Sequence, residues 1–224
     1  AREHLPYALA IIHTCSSNPM FSTGVSADLL NSTMNVLYID QAGLGMGNRD
    51  YYLAAENQAL RDGYVQWLTK AFSMIGSADA AAEAEKVLAF ETKMAEAFRS
   101  NVELRDVTAN YNPMTKDELL AKYPDFNWNA YFGQMGIGDF DKVSVGQPEV
   151  LEAVIGLLNN EDIETVKAYL AASVISSAAG YVGDELYAAH FDFFGRQMSG
   201  QQEMRPRWKR AMAVPNSLLS KKTK

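Results

Sequence analysis

The chain has 224 residues, with 20 Lys+Arg against 27 Asp+Glu and a formal net charge of −7; 48% of residues are apolar and 21% charged. That is an ordinary globular composition, and the length suits one domain or two small ones. The single cysteine, Cys15, excludes an internal disulfide framework, and no apolar run nears the roughly 18–20 residues of a membrane span.

The start, Ala1-Arg2-Glu3-His4, has neither Met nor a signal-peptide pattern and reads as a trimmed or partial chain. Two short runs rich in β-branched and aromatic residues follow, Phe21 to Ala27 and Met34 to Asp40. With the turn residues Asp28, Asn31 and Ser32 between them, they predict one hairpin. Leu60, Tyr64, Trp67, Ala71 and Ile75 share one helix face, and Gly76 stands where a C-terminal cap is expected. Val87, Phe90, Met94 and Phe98 form a second stripe with charges on the other face. The segment from Asn101 to Pro113 has no period and reads as a loop. Thr115 and Glu118 make a capping box before Leu119 and Leu120, and Pro124 stops that helix.

Lys142 to Val145 is a third, weak strand signal. Leu151, Val154, Ile155 and Leu158 mark one further helix; Ile163, Val166, Leu170 and Val174 mark the next. Leu186 to Phe194 reads as a buried helix. Residues 204–224 hold seven bases and no acid, which leaves 13 bases against 27 acids in the first 203 residues. Trp208, Met212 and Val214 interleave with those bases and predict a helix with one apolar face. The acidic body argues against a nucleic-acid partner. The fold class is mainly α, with a small β-hairpin near the N-terminus.

The chemistry-bearing residues are sparse. His4, His13 and His190 show no pair four apart, and there is no second cysteine, so neither a zinc helix nor a zinc knuckle can be drawn. His13 and Cys15 could share a face only on a strand, and no third group orients them. Gly43-Leu44-Gly45-Met46-Gly47 lacks the Lys-Ser/Thr of a P-loop and opens no βαβ unit, so it reads as a loop needing positive φ. The acid pairs Asp139/Asp141 and Glu161/Asp162 read as solvated. Asn31-Ser32-Thr33 fits a glycosylation acceptor pattern, one common by chance. The residues alone show no catalytic apparatus.

The run Asp40-Gln41-Ala42-Gly43-Leu44-Gly45-Met46-Gly47-Asn48-Arg49-Asp50-Tyr51-Tyr52-Leu53 resembles the hallmark of the neprilysin and endothelin-converting-enzyme family of zinc metallopeptidases. Upstream, Phe21, Val25, Asp28, Asn31 and Ser32 fit the family's strand–Asp–x–x–Asn–Ser–strand pattern. Downstream, Glu91 and Ala95, Tyr111-Asn112-Pro113-Met114-Thr115, Phe126-Asn127-Trp128 and Tyr131-Phe132 follow in the family's order. So do Tyr169-Leu170, Arg207-Trp208-Lys209-Arg210 and Val214-Pro215-Asn216-Ser217-Leu218-Leu219. The lone cysteine points to a bacterial-type member.

The resemblance implies a partial non-catalytic domain over residues 1–224, a helical lid that encloses the substrate chamber of a metalloendopeptidase. The family's His-Glu-x-x-His, Glu-x-x-x-Asp and Asn-Ala-x-Tyr/Phe motifs do not occur here. Zinc, the catalytic residues and the peptide substrates are therefore expected to belong to a catalytic domain outside this segment, and this chain is expected to hold no cofactor and to be inactive alone. An extracytoplasmic location is implied in the same way. The ending Ser220-Lys221-Lys222-Thr223-Lys224 departs from the apolar helix expected there, which points to a truncated chain, a disrupted frame or a genuine short protein. Asp28, Asn31, Gln41, Gly43, Leu44, Arg49, Asp50, Tyr51, Tyr52, Arg207 and Trp208 carry the motif and are expected to support the fold, with Arg49 and Asp50 as a buried ion pair. The alternative is a stand-alone, inert helical binding module.

Overall fold

A computed structural model describes residues 2–15, 17–210 and 212. The chain is mainly helical and divides into two compact units, Ala1–Ser177 and Ala178–Lys224, with the boundary inside one long helix.

The first unit opens with α1, Leu5–Thr14. Pro6 sits in its first turn, where a missing N–H costs nothing, and Leu5, Leu9, Ala10 and His13 form its buried face. The strands β1, Phe21–Ala27, and β2, Asn35–Gln41, pair antiparallel with Phe21 opposite Gln41. The hairpin is the expected one, with β2 shifted by a single residue. The short helix α2, Asp50–Leu53, leads to α3, Gln58–Met74, and α4, Ala80–Ala97. These last two pack face to face through Tyr64, Trp67, Leu68 and Ala71 on one side and Ala84, Val87, Phe90 and Met94 on the other. Gly76 has φ +87° after α3, and Ser77 N–H reaches back to the Phe72 carbonyl at 3.1 Å, closing the helix end.

The strand β3, Pro113–Met114, precedes α5, Lys116–Lys122, whose capping box is complete. The Thr115 hydroxyl accepts from Glu118 N–H at 3.2 Å, and the Glu118 carboxylate accepts from Thr115 N–H at 2.7 Å. Next come α6, Trp128–Met135; β4, Val143–Val145; α7, Pro148–Asn160; and α8, Ile163–Val182. The sheet order is β1-β2-β4-β3, with β4 parallel to β2 and antiparallel to β3. All of β4 is buried. The weak Lys142 to Val145 signal is thus a central strand, whereas two-residue β3 carried no readable pattern.

Three helices escape the sequence reading, α1, α2 and α6. The eight residues of α6 are too few to show a period, and its Trp, Tyr and Phe are indifferent helix formers. Its ends are marked locally: Asn127 caps by accepting from Ala130 N–H at 3.0 Å, and Gly136 closes it at φ +70°. Trp128, Tyr131 and Phe132 from α6 join Phe21 and Phe126 in an aromatic core, with ring centroids 4.6 to 6.1 Å apart, and α1 lies against it.

In the second unit, the apolar run from Leu186 begins in α9, Asp184–His190, and continues as a π-helical stretch, Phe191–Gln197. Gly195 is required there: a Cβ would strike the Phe191 ring. Residues 207–210 are helical and Trp208 is 66% exposed, so its indole is no part of an apolar core. Val214 and the 214–219 match lie outside the described residues.

Candidate functional site

The strongest sequence motif becomes a loop fastened over a buried carboxylate. At the end of β2, the Gln41 side chain pairs with the Arg99 backbone, donating to its carbonyl at 3.0 Å and accepting from its N–H at 2.9 Å. Gln41 N–H donates to the Gln147 side chain at 2.7 Å. Gly43 then adopts φ +101°, and a Cβ there would collide with the Tyr169 hydroxyl and the Met20 backbone. That hydroxyl accepts from Met20 N–H at 2.9 Å and donates to the Gly43 carbonyl at 2.8 Å, so Tyr169 of α8 stitches the loop to the segment before β1.

Leu44 and Met46 are buried, and Gly45 lies so close to the Tyr64 hydroxyl that no side chain fits between. Gly47, at φ +84°, closes a turn on the Leu44 carbonyl at 2.9 Å. Beneath the loop, Glu91 of α4 is only 2% exposed. Its carboxylate accepts from the Tyr52 hydroxyl at 2.6 Å, the Tyr64 hydroxyl at 3.1 Å and the Gly45 N–H. The Tyr52 hydroxyl also accepts from Met46 N–H at 2.9 Å. Burial pushes the Glu91 carboxyl up to about 7, against the opposing pull of those donors. Burial, followed by the Glu91 charge, raises the Tyr52, Tyr64 and Tyr169 hydroxyls well above their ordinary range. A cavity of about 330 Å³ adjoins the cluster, lined by Glu91, Asn18, Gly43, Ser173 and Ser176 among others.

Arg49 and Asp50 do not form the expected ion pair. The Arg49 guanidinium donates to the Phe98 carbonyl at 2.6 Å, and Asp50 is exposed at the start of α2. An arginine can satisfy itself on a helix-end carbonyl, which leaves the neighbouring acid free to face the helix N-terminus. Tyr52 is buried and Tyr51 half-buried.

A second cluster lies at the hairpin. Asp28 is 3% exposed; it accepts from the Tyr111 hydroxyl and the Lys142 ammonium, each at 2.5 Å, and from Leu30 N–H at 3.2 Å. The Lys142 and Tyr111 hydrogen bonds hold its carboxyl down to about 2. Asn31, by contrast, is exposed, and its side-chain oxygen accepts from the Thr33 hydroxyl at 2.7 Å. In the second unit, Arg207 reaches Asp184 at 3.4 Å, and Lys209 sits 5.4 Å from the Trp208 ring centroid.

The histidines do not assemble. His4 is exposed beside Glu3, His13 bonds to the Tyr131 hydroxyl at 2.6 Å and the Pro19 carbonyl at 3.0 Å, and His190 stacks on Phe194. Cys15 is exposed while His13 faces the core, so the two form no dyad. Among the described residues no group of three or more His, Cys, Asp or Glu could hold a metal, so the donor set does not fit zinc.

The expected site residues left out Glu91, Tyr64, Tyr169, Tyr111 and Lys142, although Glu91, Tyr111 and Tyr169 lie in the family-ordered segments, Tyr64 on a helix face and Lys142 in a strand signal. The signal for Glu91 as a site was its spacing: with Ala84, Val87, Met94 and Phe98 it keeps a helical period, which places an acid inside an apolar stripe.

Comparison with known proteins accounts for the whole chain. The sequence profile described as Peptidase family M13 matches residues 2–224. Endothelin-converting enzyme 1 of Cavia porcellus is 30% identical over 201 residues, covering 86% of this chain and 27% of that protein. The neutral endopeptidase of Lactobacillus helveticus is 26% identical over 213 residues, covering 94% of this chain and 31% of that protein. The solved structure of the Mycobacterium tuberculosis zinc metalloprotease Zmp1 in its open state superposes with a TM-score of 0.93 at 25% identity, over 98% of this chain and 35% of that one. The chain thus spans about a quarter to a third of the relatives it matches. It belongs to peptidase family M13.

Proposed function

We propose that this chain is a non-catalytic part of a zinc metalloendopeptidase and forms the helical lid over its substrate chamber. One observation carries the reading: nearly all of the chain matches a zinc metalloprotease, yet it corresponds to only 35% of that enzyme's length, and among its described residues no donor set fits zinc. The zinc ligands, the general base and the peptide-binding strand then belong to the remainder of the protein. This part supplies walls. Enclosure excludes folded proteins, whose backbone cannot enter, and shields the reaction from bulk water. The acidic body biases which peptides enter through its field rather than by contact. In this reading the parent acts on peptides outside the cytoplasm; among the described residues no helix is long and apolar enough to cross a membrane.

The test is zinc content and peptide hydrolysis, measured on the purified chain and on a longer protein that carries it. The chain is expected to hold far less than one zinc and to cleave nothing, while the longer protein holds zinc and cleaves peptides. Stoichiometric zinc in the chain alone, or a longer protein that never cleaves, would overturn the reading.

A further inference from the structure

We propose that residues 42–47 form a proton-gated flap over Glu91, closed while the carboxyl holds its proton and opening to water as it ionises. The buried carboxylate has only neutral partners. Its oxygens meet the Tyr52 hydroxyl from α2, the Tyr64 hydroxyl from α3 and the Gly45 N–H of the loop itself. Tyr169 of α8 senses its charge and is also a neutral phenol. Helix α7, which packs on α4 too, contributes no charged group to Glu91. Among the described residues every ion pair lies elsewhere, so an ionised Glu91 is a buried charge without a counter-ion.

Water has a short route to it. The adjoining cavity has Ser17, Asn18, Ser173 and Ser176 in its wall beside Ala42, Leu44 and Ala172, and Gly45, which covers the carboxylate, is itself exposed. The cover is thin because Gly45 has no room for a side chain, and its hinges are the positive-φ glycines Gly43 and Gly47. Two of the three side-chain tethers on the loop run through the cluster: Gly45 N–H to Glu91, and Met46 N–H to Tyr52 and on to Glu91. The third, Tyr169 to the Gly43 carbonyl, holds the hinge rather than the cover.

The energetics follow from linkage. Closed, the carboxyl titrates near 7; hydrated, it returns toward its ordinary 4.5. Opening therefore releases a proton between those values, and the opening equilibrium rises by about tenfold from pH 6 to pH 8.

The measurement is amide hydrogen exchange of residues 43–47 from pH 5.5 to 8.5, normalised to intrinsic rates, in the wild-type chain and in Glu91→Gln. The glutamine keeps the protonated shape and cannot ionise. The wild type is expected to lose about tenfold in protection across pH 6 to 8, and Glu91→Gln to stay flat. A flat wild type, or the same slope in both, overturns the proposal. Should Glu91→Gln fail to fold, carboxyl 13C NMR on the wild type decides: a Glu91 midpoint near 4.5 overturns the proposal, and a midpoint near 7 that rises further in Tyr52→Phe supports it.

Discussion

Gly45 has no latitude. Its Cα faces the Tyr64 hydroxyl and the Glu91 carboxylate, so an added methyl must displace one of them. Gly45→Ala is expected to cost about 1–3 kcal/mol, as overpacking does, read as a lower urea midpoint with an unchanged slope. Tyr169 is as constrained by its hydroxyl as Gly45 is by its lack of a side chain. Tyr169→Phe strands both Met20 N–H and the Gly43 carbonyl, and the expected loss is again about 1–3 kcal/mol in the same measurement. Asp28 behaves differently because its charge is wanted. Its folded carboxyl lies below the ordinary 3.8, at about 2, so its contribution is present above 3.8 and is lost as pH falls through 2. The thermal-midpoint advantage of wild type over Asp28→Asn should therefore vanish across that window; an advantage that persists at pH 2 would refute the assignment. Both glycines and both acids are plain letters in the sequence. What distinguishes Glu91 from the solvated acids is the apolar stripe it interrupts.

Helices declare themselves when they are long enough to repeat. The faces of α3, α4 and α7 are each visible as spacings of three and four, because each buries one stripe against neighbours; of the stripe expected on α8, Val166 and Leu170 are buried but Val174 is exposed. The cap of α5 was equally visible, since a capping box is a local pairing of Thr115 and Glu118 that needs no tertiary partner. Thr115→Ala is expected to cost about 1 kcal/mol and to raise exchange in the first turn of α5 before any other element. By the same logic α6 and β3 were hidden. One is eight residues, three of them aromatic, and the other is two residues, and both exist because a core and a sheet edge receive them. The sheet itself could not be read as a sheet. Its parallel β2–β4 pairing joins segments about a hundred residues apart, and nothing local encodes that.

At the scale of the molecule, two buried carboxyls oppose each other. Glu91 carries a raised folded value, so stability is full below 4.5 and falls as pH rises toward 7. Asp28 contributes in the reverse sense at the acid end. Stability is thus expected to peak at mildly acidic pH, and the double variant Asp28→Asn with Glu91→Gln to have the flatter profile, measured as thermal midpoint against pH.

Sequence alone determined the class of the protein, its mainly α character, the hairpin, the long helices and the family, because these rest on periodicity, caps and an ordered series of motifs spread along the chain. The tertiary structure alone decided what the motif does. It separated Arg49 from Asp50, brought Tyr52, Tyr64 and Tyr169 from three helices around Glu91, and set Lys142 and Tyr111 on Asp28. Partnership of that kind depends on which surfaces meet, and desolvation depends on how completely they exclude water. Neither is a property of residues that stand near one another in the chain.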